Sequence, residues 1–388
     1  MHFSHEATPL NLRGKKVLLT TSHRNIGSGG SIQMLLLAES LVKAGAVVHA
    51  AFNYRDGARL ADSNLDRMAD LGVPIRFFRM NRWYSPVQIF RLRRLLVRER
   101  YDIIHTHKGG DLSLVLLASL GQRVPVIVNT RGVNFPLGAN RVKYWSRRLD
   151  RVIVVSRDSK DVMVQCGVAE AKVRVVYGGV DTTRFRPRPE RRGEVRASLG
   201  IADDAIVSMM VANLVRQKGH GDYLQAAALL KQSHPEAHHL FAGKGDQTQW
   251  REEAERLGVA DRVHFLGFRK DVADLYAACD FSVVASFAGE GVSGVLRESM
   301  ACRVPVITTD VGGNAELVRD GETGLVAPIN DPPALAEAMR RMIEDRAFHD
   351  AATEAGYRDV IDRHGADARA KRVFAVYKEV MREKGLID

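Results

Sequence analysis

Two carboxylates, Glu290 and Glu298, flank a glycine-bearing turn in FAGEGVSGVLRESMA, residues 287–301. Paired carboxylates suggest general acid–base work, but the surrounding pattern points elsewhere. An apolar strand, FSVVAS, leads into the turn, and VSGVLRESMA then reads as a helix with Glu298 about two turns from its start. A helix that begins after a glycine turn offers free N–H groups and a partial positive charge, which favour phosphate. Gly291, Ser293 and Gly294 would let a diphosphate come close to the backbone. A carboxylate beside such a cradle suits hydroxyls, of a ribose or a sugar, that donate to it. The plainer alternative is an acid favouring the helix dipole followed by a solvated glutamate. Upstream, MVANLVRQKGHGDYLQAA (210–227) ends a strand and turns through Arg216, Lys218 and Gly219 into a helix. Two cations there suit a pyrophosphate clamp, or are simply solvated loop charges.

Other chemistries find less support. Neither GxxxxGK[ST] nor a complete GxGxxG occurs, since GSGG (27–30) and GKGD (243–246) both fail the spacing. No two aspartates stand one residue apart, so a metal–diphosphate site of the DxD type has no basis, and no metal or cofactor is expected. His105 and His107 have strand spacing and share a face, but a zinc site lacks a third ligand nearby. Cys166, Cys279 and Cys302 are too few and too scattered for a disulfide framework; each adjoins an apolar run, as core cysteines do. The opening MHFSHEATPLNLRGKK lacks the pattern of a signal peptide, and no run reaches the roughly 18 apolar residues of a membrane span. A reducing cytoplasm is expected.

The elements that must hold these residues alternate regularly. In the first half KKVLLTT (15–21), AVVHAAF (46–52), YDIIHTH (101–107), VPVIVNT (124–130) and DRVIVVS (150–156) read as strands, with helical segments such as SIQMLLLAESLVKAG (31–45) between. After a Gly-, Pro- and Arg-rich lapse at 176–196, the best linker candidate, the rhythm restarts. Its strands are AIVSMMVAN, HHLFAGKG, RVHFLGF, FSVVAS, VPVITTD and TGLVAP. Two α/β domains with doubly wound, Rossmann-like parallel sheets, facing across a cleft, are the economical reading. The boundaries are read as 1–183, 184–365 and a terminal amphipathic helix at 366–388 packing back on the first domain.

The order of these motifs resembles the retaining glycosyltransferases of the GT-B fold, family 4 (glycosyl transferases group 1). The likeness runs through VRVVYGGVDTTRF, NLVRQKGHGDYL, LFAGKGD, DRVHFLGFRKDVADLYAACDFSVVAS and EGVSGVLRESMACRVPVITTDVGGNAELVRDGETGLVAPINDPPALAEAM, nearly all of 173–345. SGGSIQMLLLAESLVKAGAVVHAA and YDIIHTH match more loosely. The resemblance implies that Glu298 holds the nucleotide ribose and Glu290 lies near the donor sugar's hydroxyls. The backbone of Gly291, Val292, Ser293, Gly294 and Val295 would meet the diphosphate and sugar. Lys218 would bind phosphate; Gly267, Phe268 and Arg269 would meet the base; Gly29 and Gly30 match the glycine loop that closes on the donor. Two departures stand out. The family's arginine five residues before the lysine is here Asn213, for which Arg216 is the candidate substitute. A histidine followed by glycine is replaced by Arg131 in NTRGVNF, which would favour an acidic or phosphorylated acceptor. His107 and Arg131 are the acceptor-side candidates.

Charge adds a partner. Of the net +11, residues 1–187 hold 30 Lys+Arg against 14 Asp+Glu, a balance of +16, leaving 27 against 32, or −5, for the rest. Arg91, Arg94 and Arg98 with Phe90, Leu95 and Val97, and Lys143, Arg147 and Arg148 with Tyr144 and Trp145, suit docking on an anionic membrane, at the inner face of the plasma membrane. The expected partners are therefore a nucleotide-sugar donor, with UDP-sugars favoured over GDP-mannose, a glycan or lipid-linked acceptor, and that surface. The competing readings are a sugar-nucleotide epimerase of the same architecture and a non-enzymatic binder of anionic polymers. The basic segments show no nucleic-acid-binding module.

Overall fold

The computed structural model describes residues 10–23, 26–27, 29–53, 63–82, 84–138 and 141–388. The reading of residues 1–9 as no leader, Ser28 of the glycine loop and Asn140 of the second basic segment lie outside the described residues. The chain forms two compact units. One runs to Gly179 and takes back Ala366–Asp388; the other is Val180–Gly365.

The first unit is built on a parallel sheet of β1 (Lys16–Thr21), β2 (Val47–Asn53), β3 (Ile75–Phe78), β4 (Ile103–Thr106), β5 (Val126–Arg131), β6 (Arg151–Val154) and β7 (Val173–Val175). Their order is β3-β2-β1-β4-β5-β6-β7. Strands β4 and β6 are buried at every position, because helices cover both faces; the polar residues they carry, His105, Thr106 and Arg151, are buried with them. The terminal helix, Ala366–Glu383, belongs to this core: Val373, Val376, Tyr377, Val380 and Met381 cluster with Val17, Leu19 and Ile103. Arg151 pairs with Glu379, and Lys384 with Asp150, tying that helix and the residue after it to the region of β6.

The second unit carries β8 (Val207–Val211), β9 (His238–Ala242), β10 (Val263–Gly267), β11 (Phe281–Val284), β12 (Val306–Thr309) and β13 (Leu325–Ala327), all parallel, in the order β10-β9-β8-β11-β12-β13. Each order reverses at one place, between β1 and β4 and between β8 and β11. At such a switch point the loops leaving two neighbouring strands diverge and open a crevice at their carboxyl ends.

Several expectations need correction. Strands β3 and β7 were not anticipated; both are short edge strands, only partly buried, and so give a weak pattern. The Arg-rich lapse at 176–196 is not a linker throughout. Arg192–Ser198 is a helix, and Arg196 within it is fully buried, donating to the carbonyls of Ala202, Asp203, Ala205 and Ala278 and to Asp280. Leu95 and Tyr144, assigned to basic docking faces, point into the core of the first unit. Phe90 and Val97 do stay exposed on helix Pro86–Glu99, joined there by Val87.

Candidate active site

The switch point of the second unit brings the two sequence-predicted motifs together. After β8 the chain makes a single 3-10 turn, Arg216–Lys218, and Gly219 then starts helix His220–Leu230. Gly219 has φ +75°, and a Cβ there would overlap the carbonyl of Ala285 at the end of β11, so only glycine lets the two loops come this close. The Phe287 amide donates to Gln217 O at 3.0 Å and fastens one loop to the other. Lys218 therefore reaches Glu290: Nζ donates to Oε1, and Ser286 Oγ donates to the same oxygen at 2.9 Å. Glu290 is only 7% exposed, so the contact is shielded from bulk water.

Helix Gly294–Ala301 begins next to this pair. Its N-cap, Ser293, makes no side-chain capping bond, which leaves the first-turn N–H groups open. The turn itself is held from outside: Asn314 Oδ1 accepts from the Ser293 amide at 2.9 Å, Asn314 Nδ2 donates to Thr308 Oγ1 at 3.1 Å, and the Gly313 amide donates to Gly291 O at 2.6 Å. The amide of Ser293 is thus already used, and Gly294 and Val295 at the head of the helix are the available donors. Glu298 sits about one turn into the helix rather than two, because the helix starts at Gly294 and not at Val292. Burial raises its pKa, opposed by the cations Arg184 and Arg297. Arg184 also stacks on Phe185 and donates to Lys270 O at 3.1 Å.

Not every predicted residue joins this cluster. Arg216 is exposed and forms no hydrogen bond or ion pair through its side chain among the described residues. Arg269 is engaged in a two-pronged pair with Asp271, at 2.8 and 2.5 Å, which leaves it less free to meet a base. Phe268 is 57% exposed, with Lys244 Nζ 4.2 Å from its ring centre, and Gly267 before it has φ +65°. That cation lies over one face of the exposed ring, a cation–π contact.

In the first unit, β1 and β4 deliver a second group. Asp111 is buried and accepts from Thr20 Oγ1 and the His107 amide, both at 2.9 Å; burial pushes its pKa up to about 6. His107 stacks on His105 with centroids 4.4 Å apart, as strand spacing requires. His105 spends its ring nitrogens on Tyr377 OH and Thr130 Oγ1, whereas Nε2 of His107 has no partner among the described residues. Burial lowers the pKa of His107 to about 3, so the ring is neutral. Gly29 and Gly30 open helix Gly29–Lys43 beside His23. Arg131, at the end of β5, donates to the Phe135 carbonyl.

Comparison with known proteins follows the same division. Residues 191–359 match the family model for glycosyl transferases group 1, and residues 27–184 match that for glycosyltransferase family 4. The chain is 30% identical over 386 residues to the uncharacterized glycosyltransferase MJ1607 of Methanocaldococcus jannaschii, covering 93% of this chain and 96% of that protein. It is 29% identical over 248 residues to the lipopolysaccharide core biosynthesis mannosyltransferase LpsB of Rhizobium meliloti, covering 62% and 68%. Among solved structures it resembles Anabaena Alr3699/HepE, crystallised with UDP and glucose, with a TM-score of 0.79 at 22% identity over 94% of this chain and 100% of that one. The chain belongs to the family 4 glycosyltransferases and has their GT-B fold, with one parallel-sheet unit matching each family model.

Sequence reasoning missed four residues around this site. Ser286 and Asn314 carry no charge and act through partners 4 residues away for Ser286 and 6 and 21 residues away for Asn314. Arg184 lies in a segment read as the domain boundary. Arg297 had a legible signal, being a charge on the apolar side of its helix.

Proposed function

We propose that this glycosyltransferase moves a sugar, with retention of anomeric configuration, from a nucleotide sugar to a hydroxyl of a glycan or lipid-linked acceptor in envelope polysaccharide or lipopolysaccharide synthesis. UDP-sugars are favoured over GDP-mannose. The observation that carries the reading is the pair of half-buried Lys218 and buried Glu290 beside the open head of helix Gly294–Ala301. The diphosphate takes the N–H groups of Gly294 and Val295 and the ammonium of Lys218. Glu290 accepts from the sugar's hydroxyls, and Glu298, further along the helix, from the ribose. The bond from the anomeric carbon to the β-phosphate oxygen breaks, and the electron pair goes to the diphosphate. The acceptor oxygen attacks from the same face and passes its proton to that leaving oxygen. Lys218 and the helix dipole meet the charge that develops on the diphosphate, a role that needs no metal ion. The proposed displacement forms no enzyme-bound sugar, and it leaves Ser286, whose hydroxyl donates to Glu290, the task of holding that carboxylate.

The similarity to LpsB, whose name specifies lipopolysaccharide core synthesis, supports the envelope assignment. The exposed Val87, Phe90, Arg91, Arg94, Val97 and Arg98 of helix Pro86–Glu99 lie on one side and suit an anionic membrane surface in the cytoplasm. Sedimentation with anionic but not neutral vesicles is the expected result; equal recovery with both removes the membrane. A thermal-shift screen against UDP-, GDP- and ADP-sugars tests the donor, because a bound ligand raises apparent stability by mass action. One nucleotide series is expected to raise Tm. A flat response to all three sinks the reading.

A further inference from the structure

The buried side of helix Gly294–Ala301 carries one residue that packing does not explain. Arg297 is 4% exposed, beside Leu296, Ser299 and Met300. Its Nε and Nη1 have no hydrogen-bond partner among the described residues, and the guanidinium forms no ion pair there. The same unit satisfies its other buried arginine fully: Arg196 donates to four carbonyls and to Asp280. An unpaired buried cation costs stability, and such a cost persists where binding repays it.

Where Arg297 points shows what would pair with it. Helical side chains lean toward the N-terminus of their helix, and Nη2 lies 3.8 Å from the place a Cβ on Gly294 would occupy. Apart from the adjoining residues and the helix's own backbone, no other heavy atom of the described residues comes within 4 Å of that place. The guanidinium thus ends beside the first residue of the helix, whose N–H groups are open. Burial lowers the pKa of Arg297 only to about 10, and the nearby charges of Glu290 and Glu298 hold it up, so it remains a cation at neutral pH.

We propose that Arg297 is a further anion contact of the donor site, meeting a diphosphate oxyanion together with the N–H groups of Gly294 and Val295. The identity of that anion as the donor's diphosphate rests on the function proposed above; the anion site itself does not. Bound, the oxyanion supplies the partner that the fold withholds. Arg297 then works as a second cation of the site, in addition to Lys218.

The test is isothermal titration of the full chain and of Arg297→Leu and Arg297→Lys with inorganic pyrophosphate and with UDP, GDP and ADP, alongside melting of each free protein. Arg297→Leu is expected to weaken pyrophosphate and the preferred nucleoside diphosphate about tenfold or more, and to raise the Tm of the free protein, since it removes an unpaired charge. Binding of the nucleoside alone stays within about twofold, because no base contact changes. Arg297→Lys, which keeps the charge and loses the fork, falls between. Pyrophosphate affinity in Arg297→Leu within twofold of wild type overturns the proposal, as does a variant that loses stability while binding diphosphate normally. If wild type binds pyrophosphate but none of the three nucleotides, the donor reading fails and Arg297 is judged on pyrophosphate alone. If wild type binds neither, both fall.

Discussion

At the scale of single residues the site is defined by a shielded ion pair rather than a catalytic dyad. Lys218 and Glu290 are 72 positions apart in sequence, and each satisfies the other in the free protein. Removing Lys218 leaves Glu290 buried without a counter-ion, and removing Glu290 leaves the half-buried Lys218 without one, so in the proposed mechanism each change acts twice: one contact to substrate is lost, and the remaining charge is unpaired. Lys218→Ala and Glu290→Ala are each expected to lower kcat by about 100-fold or more while the far-UV circular dichroism stays unchanged. The double variant is expected to lose less than the product of the two, because the residues act as a unit. Near-normal turnover by either folded single variant would place the chemistry elsewhere. The residue types and their order were legible from sequence, since carboxylate, glycine turn and lysine are a recognisable set. The contact between them was not, because it depends on Gly219 letting one loop pass the Ala285 carbonyl.

At the scale of elements, the turn Gly291–Ser293 owes its shape to a neighbour that touches no substrate in the proposed mechanism. Asn314 is fully buried and fixes the Ser293 amide on one side and Thr308 on the other. Asn314→Ala is expected to weaken donor binding about tenfold through loss of a buried hydrogen-bond bridge, with a smaller effect on kcat, as read by separate KM and kcat measurements. Equal binding by wild type and variant would mean that the turn is held without it. Strand positions were read well where burial on both faces concentrates apolar and β-branched residues, as in β4, β6 and β11, even though His105, Arg151 and Ser282 interrupt the apolar pattern. The edge strands β3 and β7 escaped because half-buried backbone carries no such run. The start of helix Gly294–Ala301 was misplaced by two residues because Ser293 takes an extended conformation and serves as the cap.

At the scale of the whole molecule, both units bury histidines as neutral rings. Burial lowers the pKa of His23 and His220 to about 4 and that of His107 and His239 to about 3, against 6.5 for a free side chain. Between those values the unfolded chain binds more protons than the folded one, so stability is fully present above pH 6.5 and is lost as pH falls toward 3. Asp111, pushed up to about 6, acts in the opposite sense and is outnumbered. Tm is expected to fall steadily from pH 7 to pH 4, with net proton uptake on unfolding at pH 5; a Tm that holds or rises across that range would contradict it. The charge contrast of +16 and −5 between the two halves of the sequence was visible from composition, but which aromatic residues share the basic faces was not. Tyr144 and Leu95 are core, and Phe90 is surface.

The sequence by itself determined the class of fold, the family and the residue types of the donor site, because alternating apolar runs and an ordered set of loop motifs are local properties of the chain. The tertiary structure alone decided which of those residues meet. The reversal of strand order between β8 and β11 put Lys218 beside Glu290 and left Arg216 in solvent. It also turned Arg297, a charge on the apolar side of its helix, into a buried cation whose Nε and Nη1 have no hydrogen-bond partner among the described residues. Spacing along a chain records neither burial nor the distance between loops from different strands, and those two quantities set the strength of every charge at the site.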